Sequence, residues 1–200
     1  MPSIALGDLI YGENVARTFR VTAKDPRLRP MHLFDKQQYY RAALATYVAG
    51  WEQYVKSVIM EYFARISDPA DSRYFSIHSL ASDMAGRFLK KFNTPDRDRS
   101  RESILTCTGY DPINDWTWPR AAMSGVQVKE FLSEVLKVRH SFAHGFELPG
   151  FTWTITPSGR KQLSDSSLER VQYFFRHLAV QTDHGLRNHA AMLFSGLQIW

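Results

Sequence analysis

Near the middle of the second half of the chain, an arginine and two histidines fall close together in Arg139-His140-Ser141-Phe142-Ala143-His144-Gly145. The residue types suit proton transfer beside a phosphate. Histidine changes charge near neutrality, so an imidazole can take a proton from a hydroxyl or return one to a departing oxygen. Arginine stays charged and presents a planar fork that matches phosphate oxygens in pairs. His140 and His144 also stand four apart, a spacing that puts two imidazoles on one helical face for metal binding. No third ligand has comparable support, since His184 and His189 lie far along the chain, so a surface histidine pair is the simpler reading and no metal is expected.

These residues close an expected helix. From Ser124 onward, Val128, Phe131, Leu132, Val135, Val138 and Phe142 recur at three- and four-residue steps, and Gly145 followed by Pro149 marks the end. At about 100° per residue, Arg139 falls inside that apolar stripe and His144 lies about 140° around the axis from it. The two side chains meet only if the helix ends or distorts between them, or if Arg139 of one subunit approaches His144 of a second across a two-fold axis. Otherwise His144 is a structural cap of the helix end. Lys129 and Lys137, with Arg160 and Lys161 beyond, either extend a basic track beside the site or are ordinary surface charges.

The elements that must position this segment read as helices. Phe34 to Ile66 carries Tyr40, Leu44, Tyr47, Val48, Trp51, Val55, Val58, Ile59, Tyr62 and Phe63 at helical spacing, with Asp35 available as a cap. Glu52 on this helix either reaches across to Arg139 or pairs with Lys56 four residues on. Trp51 and Tyr54 fall on or beside the apolar stripe, which favours packing over base stacking. A second helix is expected from Ser76 to Phe92 with Leu80, Met84, Phe88 and Leu89 on one side, and a third opens at Thr94-Pro95 and stops at Gly109. Trp116 and Trp118 should pin an irregular connection. Phe151 to Leu163, with Pro157-Ser158-Gly159 at its centre, predicts a short accessory β-hairpin, and Ser166 with Glu169 predicts a capping box opening a last helix. Residues 1–33 read as an N-terminal arm, partly helical at best, and 34–196 as one all-α domain of four to five bundled helices.

Composition sets the outer bounds. With 200 residues, 44% hydrophobic and 14% aromatic, the chain can bury a large core and is not disordered. Its formal charge of +5 favours encounter with polyanions. The single cysteine, Cys107, excludes an intrachain disulfide and reads as a small buried hydrophobe of a reducing compartment. No apolar run is long enough for a membrane span and no secretory signal is evident, so a cytoplasmic protein is expected. Neither a Walker-type phosphate loop nor a GxSxG elbow occurs.

The Arg139-x4-His144 spacing, the polar His140 after the arginine, the closing Ala143-His144-Gly145 and the Trp51-Glu52-Gln53-Tyr54 segment together resemble the HEPN superfamily of ribonucleases, in particular its RiboL-PSP-HEPN subgroup. The resemblance covers roughly residues 34–178 in helical layout, with the identity-level match confined to those two segments. It implies a HEPN-like bundle and metal-independent, cofactor-free cleavage of RNA in the shared cleft of a homodimer. Arg139 and His144 would be catalytic, His140 and Glu52 supporting, and Lys137 and Lys129 RNA-binding. Attack by the ribose 2′-hydroxyl would leave a 2′,3′-cyclic phosphate and a 5′-hydroxyl end. Such proteins are commonly toxins or phage-defence effectors, with an antitoxin protein as partner. The alternative is a non-catalytic HEPN module that binds RNA, a nucleotide or a partner protein.

Overall fold

The computed structural model describes residues 1–28, 31–68, 70–91 and 97–200, with the backbone alone at 97 and 98. The expected Thr94-Pro95 helix start lies outside the described residues. Among those described there are six α-helices and no strand: α1 (Ile4–Thr22), α2 (Leu33–Ile66), α3 (Ser72–Lys90), α4 (Arg97–Thr108), α5 (Gly125–Ala143) and α6 (Asp165–Leu193). The chain is all-α, as its periodicity requires. No helix is long and apolar enough to cross a membrane among the described residues.

α2 is the spine. Its 34 residues span about 50 Å, and Leu44, Trp51, Val55, Val58 and Ile59 along it are fully buried. The central layer is aromatic: Trp51 stacks between Tyr54 and Phe175, with ring centroids 5.5 and 5.6 Å away, and meets the edge of Trp116 at 5.9 Å. Every polar handle in this layer has a partner, as burial demands. Trp51 Nε1 donates to Ser100 Oγ at 3.2 Å, Trp116 Nε1 to Thr182 Oγ1 at 3.0 Å, and the Tyr54 hydroxyl lies 2.8 Å from both Ala179 O and Asp183 Oδ1. Trp51 and Tyr54 are therefore core residues, and Trp116 and Trp118 do pin the connection between α4 and α5. Gly185 lets that connection approach α6: a Cβ there would lie 1.8 Å from the Tyr110 hydroxyl.

The first 33 residues differ from the expected arm. Residues 4–22 form a complete helix, capped by Ser3 Oγ accepting from Leu6 N–H at 3.0 Å, and it lies along α2 and α6 in the same core. Its buried face runs Ala5, Leu6, Leu9, Glu13, Ala16, Arg20, a helical spacing in which hydropathy is interrupted by two charges. Both charges are matched on α6. Glu13 accepts from Gln172 Nε2 at 2.6 Å and from Arg176, while Arg20 donates to Asp165 Oδ1 at 2.8 Å and Gln172 Oε1 at 2.9 Å. At the other end, Asp183 accepts from the Ser3 N–H and hydroxyl, both at 2.8 Å. Burial, opposed by those hydrogen bonds, raises the Asp183 carboxyl above its ordinary value.

Four further expectations are corrected. The hairpin is a single antiparallel bridge between Ile155 and Lys161, closed by a turn at Gly159. α3 begins at Ser72, capped by Asp71, and buries Ala85 and Leu89 while Leu80 and Met84 face solvent. The long helix starts after His32, with Asp35 in its first turn and not at the cap. α6 starts two residues early, with Ser164 and Ser167 forming the capping box in place of Ser166 and Glu169. Cys107 is half-buried and unpaired, and burial pushes its thiol up to about 11.

Candidate functional site

α5 starts at Ser124, whose N–H donates to Gln127 Oε1 at 2.9 Å, and ends at Ala143 with His144 as its C-cap. Its last turn closes as a Schellman motif. Phe146 N–H donates to Ser141 O at 2.6 Å, Gly145 N–H reaches Phe142 O at 3.4 Å, and Gly145 adopts φ +72°. In this motif the residue after the glycine folds back on the last turn, and here that residue is Phe146. The consequence is an exposed three-ring cluster. His140 and His144 stand 4.2 Å apart between ring centroids, and Phe146 lies 6.2 and 6.1 Å from them, nearly parallel to His144. Phe146 is 63% exposed, so its outer face is open to a planar ligand.

Arg139 is exposed, which departs from its place in the apolar stripe. In the last turns of α5 the fully buried residues are Val138 and Ser141, with Phe142 partly buried against the core, so the covered side of these turns leaves Arg139 out. Arg139 makes no hydrogen bond or ion pair among the described residues. Its charge is fully available to an anion. Within one chain Arg139 stays about 140° around the helix from His144, since the helix persists to Ala143.

Lys137 is exposed and shares the histidine side of α5, about 20–60° from His144 and His140 by helical rotation. Lys129 lies on that side too, but about 16 Å further up the axis from His140, near Asp111, whose carboxyl is held below the ordinary range chiefly by its hydrogen bond from Arg101 and least by the Lys129 charge. Lys161 pairs with Glu147 at 3.0 Å, and Arg160 is exposed at the bridge turn. Glu52 is paired with Lys56 at 2.7 Å on α2 itself, which accounts for it without Arg139.

The structure therefore brings together His140 and His144, places Lys137 on their side of α5, leaves Arg139 on another face, and pairs Glu52 elsewhere with Lys56. Two residues were missed by sequence reasoning. Phe146 was signalled by the helix-stop glycine before it, because a Schellman ending returns the next residue to the final turn. Arg41 of α2, 6.0 Å from the Phe142 ring centroid, had no sequence signal. His184 receives a hydrogen bond from Arg187 at 2.9 Å and His189 contacts Thr108 O at 3.1 Å, so neither joins the pair on α5. Among the described residues no group of three or more potential ligands is assembled for a metal.

No family model, curated protein or solved structure matches this chain.

Proposed function

We propose that this protein is a HEPN-type, metal-independent endoribonuclease of the cytoplasm, in which Arg139 and His144 act on RNA in a cleft made by two copies of the chain. The observation that carries the reading is the end of α5: an exposed imidazole pair with an open phenyl ring, and an exposed, uncompensated guanidinium on another face of the same turns. Arg139 would hold phosphate oxygens as charge builds, and His144 would move the proton between the 2′-hydroxyl and the departing 5′-oxygen. His140 would support His144 by ring contact, Lys137 would bind the backbone on the same side, and Phe146 would stack a base.

The reading calls for a second copy. Arg139 and His144 point from different faces of α5, and both face open solvent, where water competes for every charge. A two-fold contact through the ends of two α5 helices would set Arg139 of one copy against His144 of the other and exclude water. The alternative module, binding RNA, a nucleotide or a protein without cleavage, draws support from Glu52, which is already neutralised by Lys56. An antitoxin partner covering the exposed site would restrain the activity in a cell.

The deciding experiment is cleavage of a mixed-sequence RNA in EDTA by wild type, Arg139→Ala and His144→Ala, with end-group analysis. Wild type should give cyclic-phosphate ends, leave a DNA copy intact, and lose roughly 10²- to 10⁴-fold in rate on removal of His144. Wild-type RNA binding without cleavage would establish the non-catalytic module instead.

A further inference from the structure

A second anion-friendly surface lies on the α1 and α6 side, outside the α5 cluster. Between α6 and the 3-10 turn Pro119–Ala121 is a cleft of about 710 Å³ lined by Arg120, Tyr173, Arg176 and His177 with Trp118. Its lining contains no carboxylate. On the other side of Arg176, a groove of about 350 Å³ runs against α1 and is lined by Tyr11 and Arg17. Arg176 is common to both, and Glu13, the one acid of the smaller groove, is buried and already held by Arg176 and Gln172.

The presentation of this surface is built in. The turn that carries Arg120 is closed by paired backbone bonds between Trp118 and Met123, at 2.9 and 3.0 Å, and requires Ala122 at φ 52°, a left-handed conformation unfavourable for alanine. Arg120 is thereby carried on a closed turn, exposed and without an ion-pair partner among the described residues. His177 is fixed on Trp118, ring centroids 5.9 Å apart at 21°, by its Nε2 contact with Thr117 O at 2.6 Å. Tyr173 is 52% exposed and Tyr11 79% exposed, so both rings offer an open face.

Cations spaced along a groove, alternating with open aromatic rings, suit a chain of phosphates and bases and suit neither an apolar helix nor a lone anion. From this arrangement we infer that Arg120, Tyr173, Arg176, Tyr11 and Arg17 form a single-stranded nucleic-acid track that crosses α6 over Arg176. Phosphates lie against Arg120 and Arg17; Arg176, whose charge Glu13 offsets, marks the crossing between them, and bases stack on Tyr173 in the larger cleft and Tyr11 in the smaller groove. The track is independent of whether Arg139 and His144 cleave RNA, and it tolerates both RNA and DNA because its contacts are to phosphates and ring faces.

The test is fluorescence anisotropy with fluorescein-labelled dT12 and 2′-O-methylated U12, which has no free 2′-hydroxyl to attack the phosphate, on the full chain in EDTA, with UMP as competitor and circular dichroism of each variant. Wild type should bind both oligonucleotides far more tightly than UMP. Tyr173→Ala should weaken binding roughly tenfold, and Arg120→Ala and Arg17→Ala should each flatten the dependence of log affinity on log salt by about 0.7. Photocrosslinks from 4-thiouridine-substituted, 2′-O-methylated U12 should map to the peptides containing Tyr173 and Tyr11, in wild type and in His144→Ala alike. Unchanged affinity in a folded Tyr173→Ala/Arg120→Ala double variant, crosslinks confined to 137–147, UMP binding as tight as U12, or no oligonucleotide binding by wild type would each overturn the track. Equal displacement of U12 by poly-glutamate would assign the surface to acidic protein segments and overturn it as well.

Discussion

Gly145→Ala probes the ring cluster through its backbone alone. Gly145 sits at φ +72°, and a Cβ there meets nothing within 4 Å, so the substitution adds strain without a clash. The left-handed conformation costs a non-glycine residue about 1–2 kcal/mol. Restricting the unfolded chain offsets about 0.4–1 kcal/mol of that, leaving a net loss near 1 kcal/mol. With a urea slope of about 2–3 kcal/mol per molar for a chain of this size, the unfolding midpoint should fall by about 0.3–0.5 M with the slope unchanged. Gly145→Asn should lose about half as much, because asparagine tolerates this region better. The local effect should exceed the global one: histidine ring resonances of His140 and His144 in NMR spectra should shift or broaden in the alanine variant. A wild-type midpoint for Gly145→Ala, or an asparagine variant less stable than the alanine one, would show that the Schellman ending does not hold the cluster.

Asp183→Ala should lower stability by about 2–3 kcal/mol, since it strands the buried Ser3 N–H and removes an acceptor from Ser3 Oγ and Tyr54; amide exchange should accelerate in 4–22 more than in α5, and uniform acceleration would refute a role in docking α1. The pH dependence should carry two opposite limbs. Burial opposes but Arg20 and Lys24 prevail in holding the Asp165 carboxyl below its ordinary value, so its contribution is present above the ordinary carboxylate range and lost as pH falls through the lowered one. Asp183, raised by burial, contributes most below the ordinary range and less as pH rises through its folded value. Urea titrations from pH 3 to 7 on Asp165→Asn should therefore show a flattened acid limb, and an acid limb as steep as wild type would contradict the assignment.

How much was legible depended on whether a signal was local. α2, α5 and the body of α6 could be read because their apolar residues recur at the helical period over many turns. α1 could not, because Glu13 and Arg20 occupy core positions and are made tolerable by Gln172, Arg176 and Asp165, more than a hundred residues away. Likewise Leu80 and Met84 follow helical spacing but face solvent; spacing identifies a face without naming what covers it. The 151–163 segment has strand-forming residues around a turn, yet its backbone pairs only at Ile155 and Lys161, and a lone two-stranded ribbon has little stability of its own.

The site divides the same way. Local chemistry in the sequence determined that α5 ends just before Gly145 and that His140 and His144 share a side, because both follow from helix geometry and from glycine's access to positive φ. Only tertiary structure decided that Arg139 is exposed, since that depends on which side of the last turns of α5 the rest of the chain covers. Only tertiary structure drew Arg17, Arg120 and Arg176 together on one surface from three separate elements. A periodic pattern records which side of a helix an atom is on; the extent and position of its neighbours are properties of the packed chain.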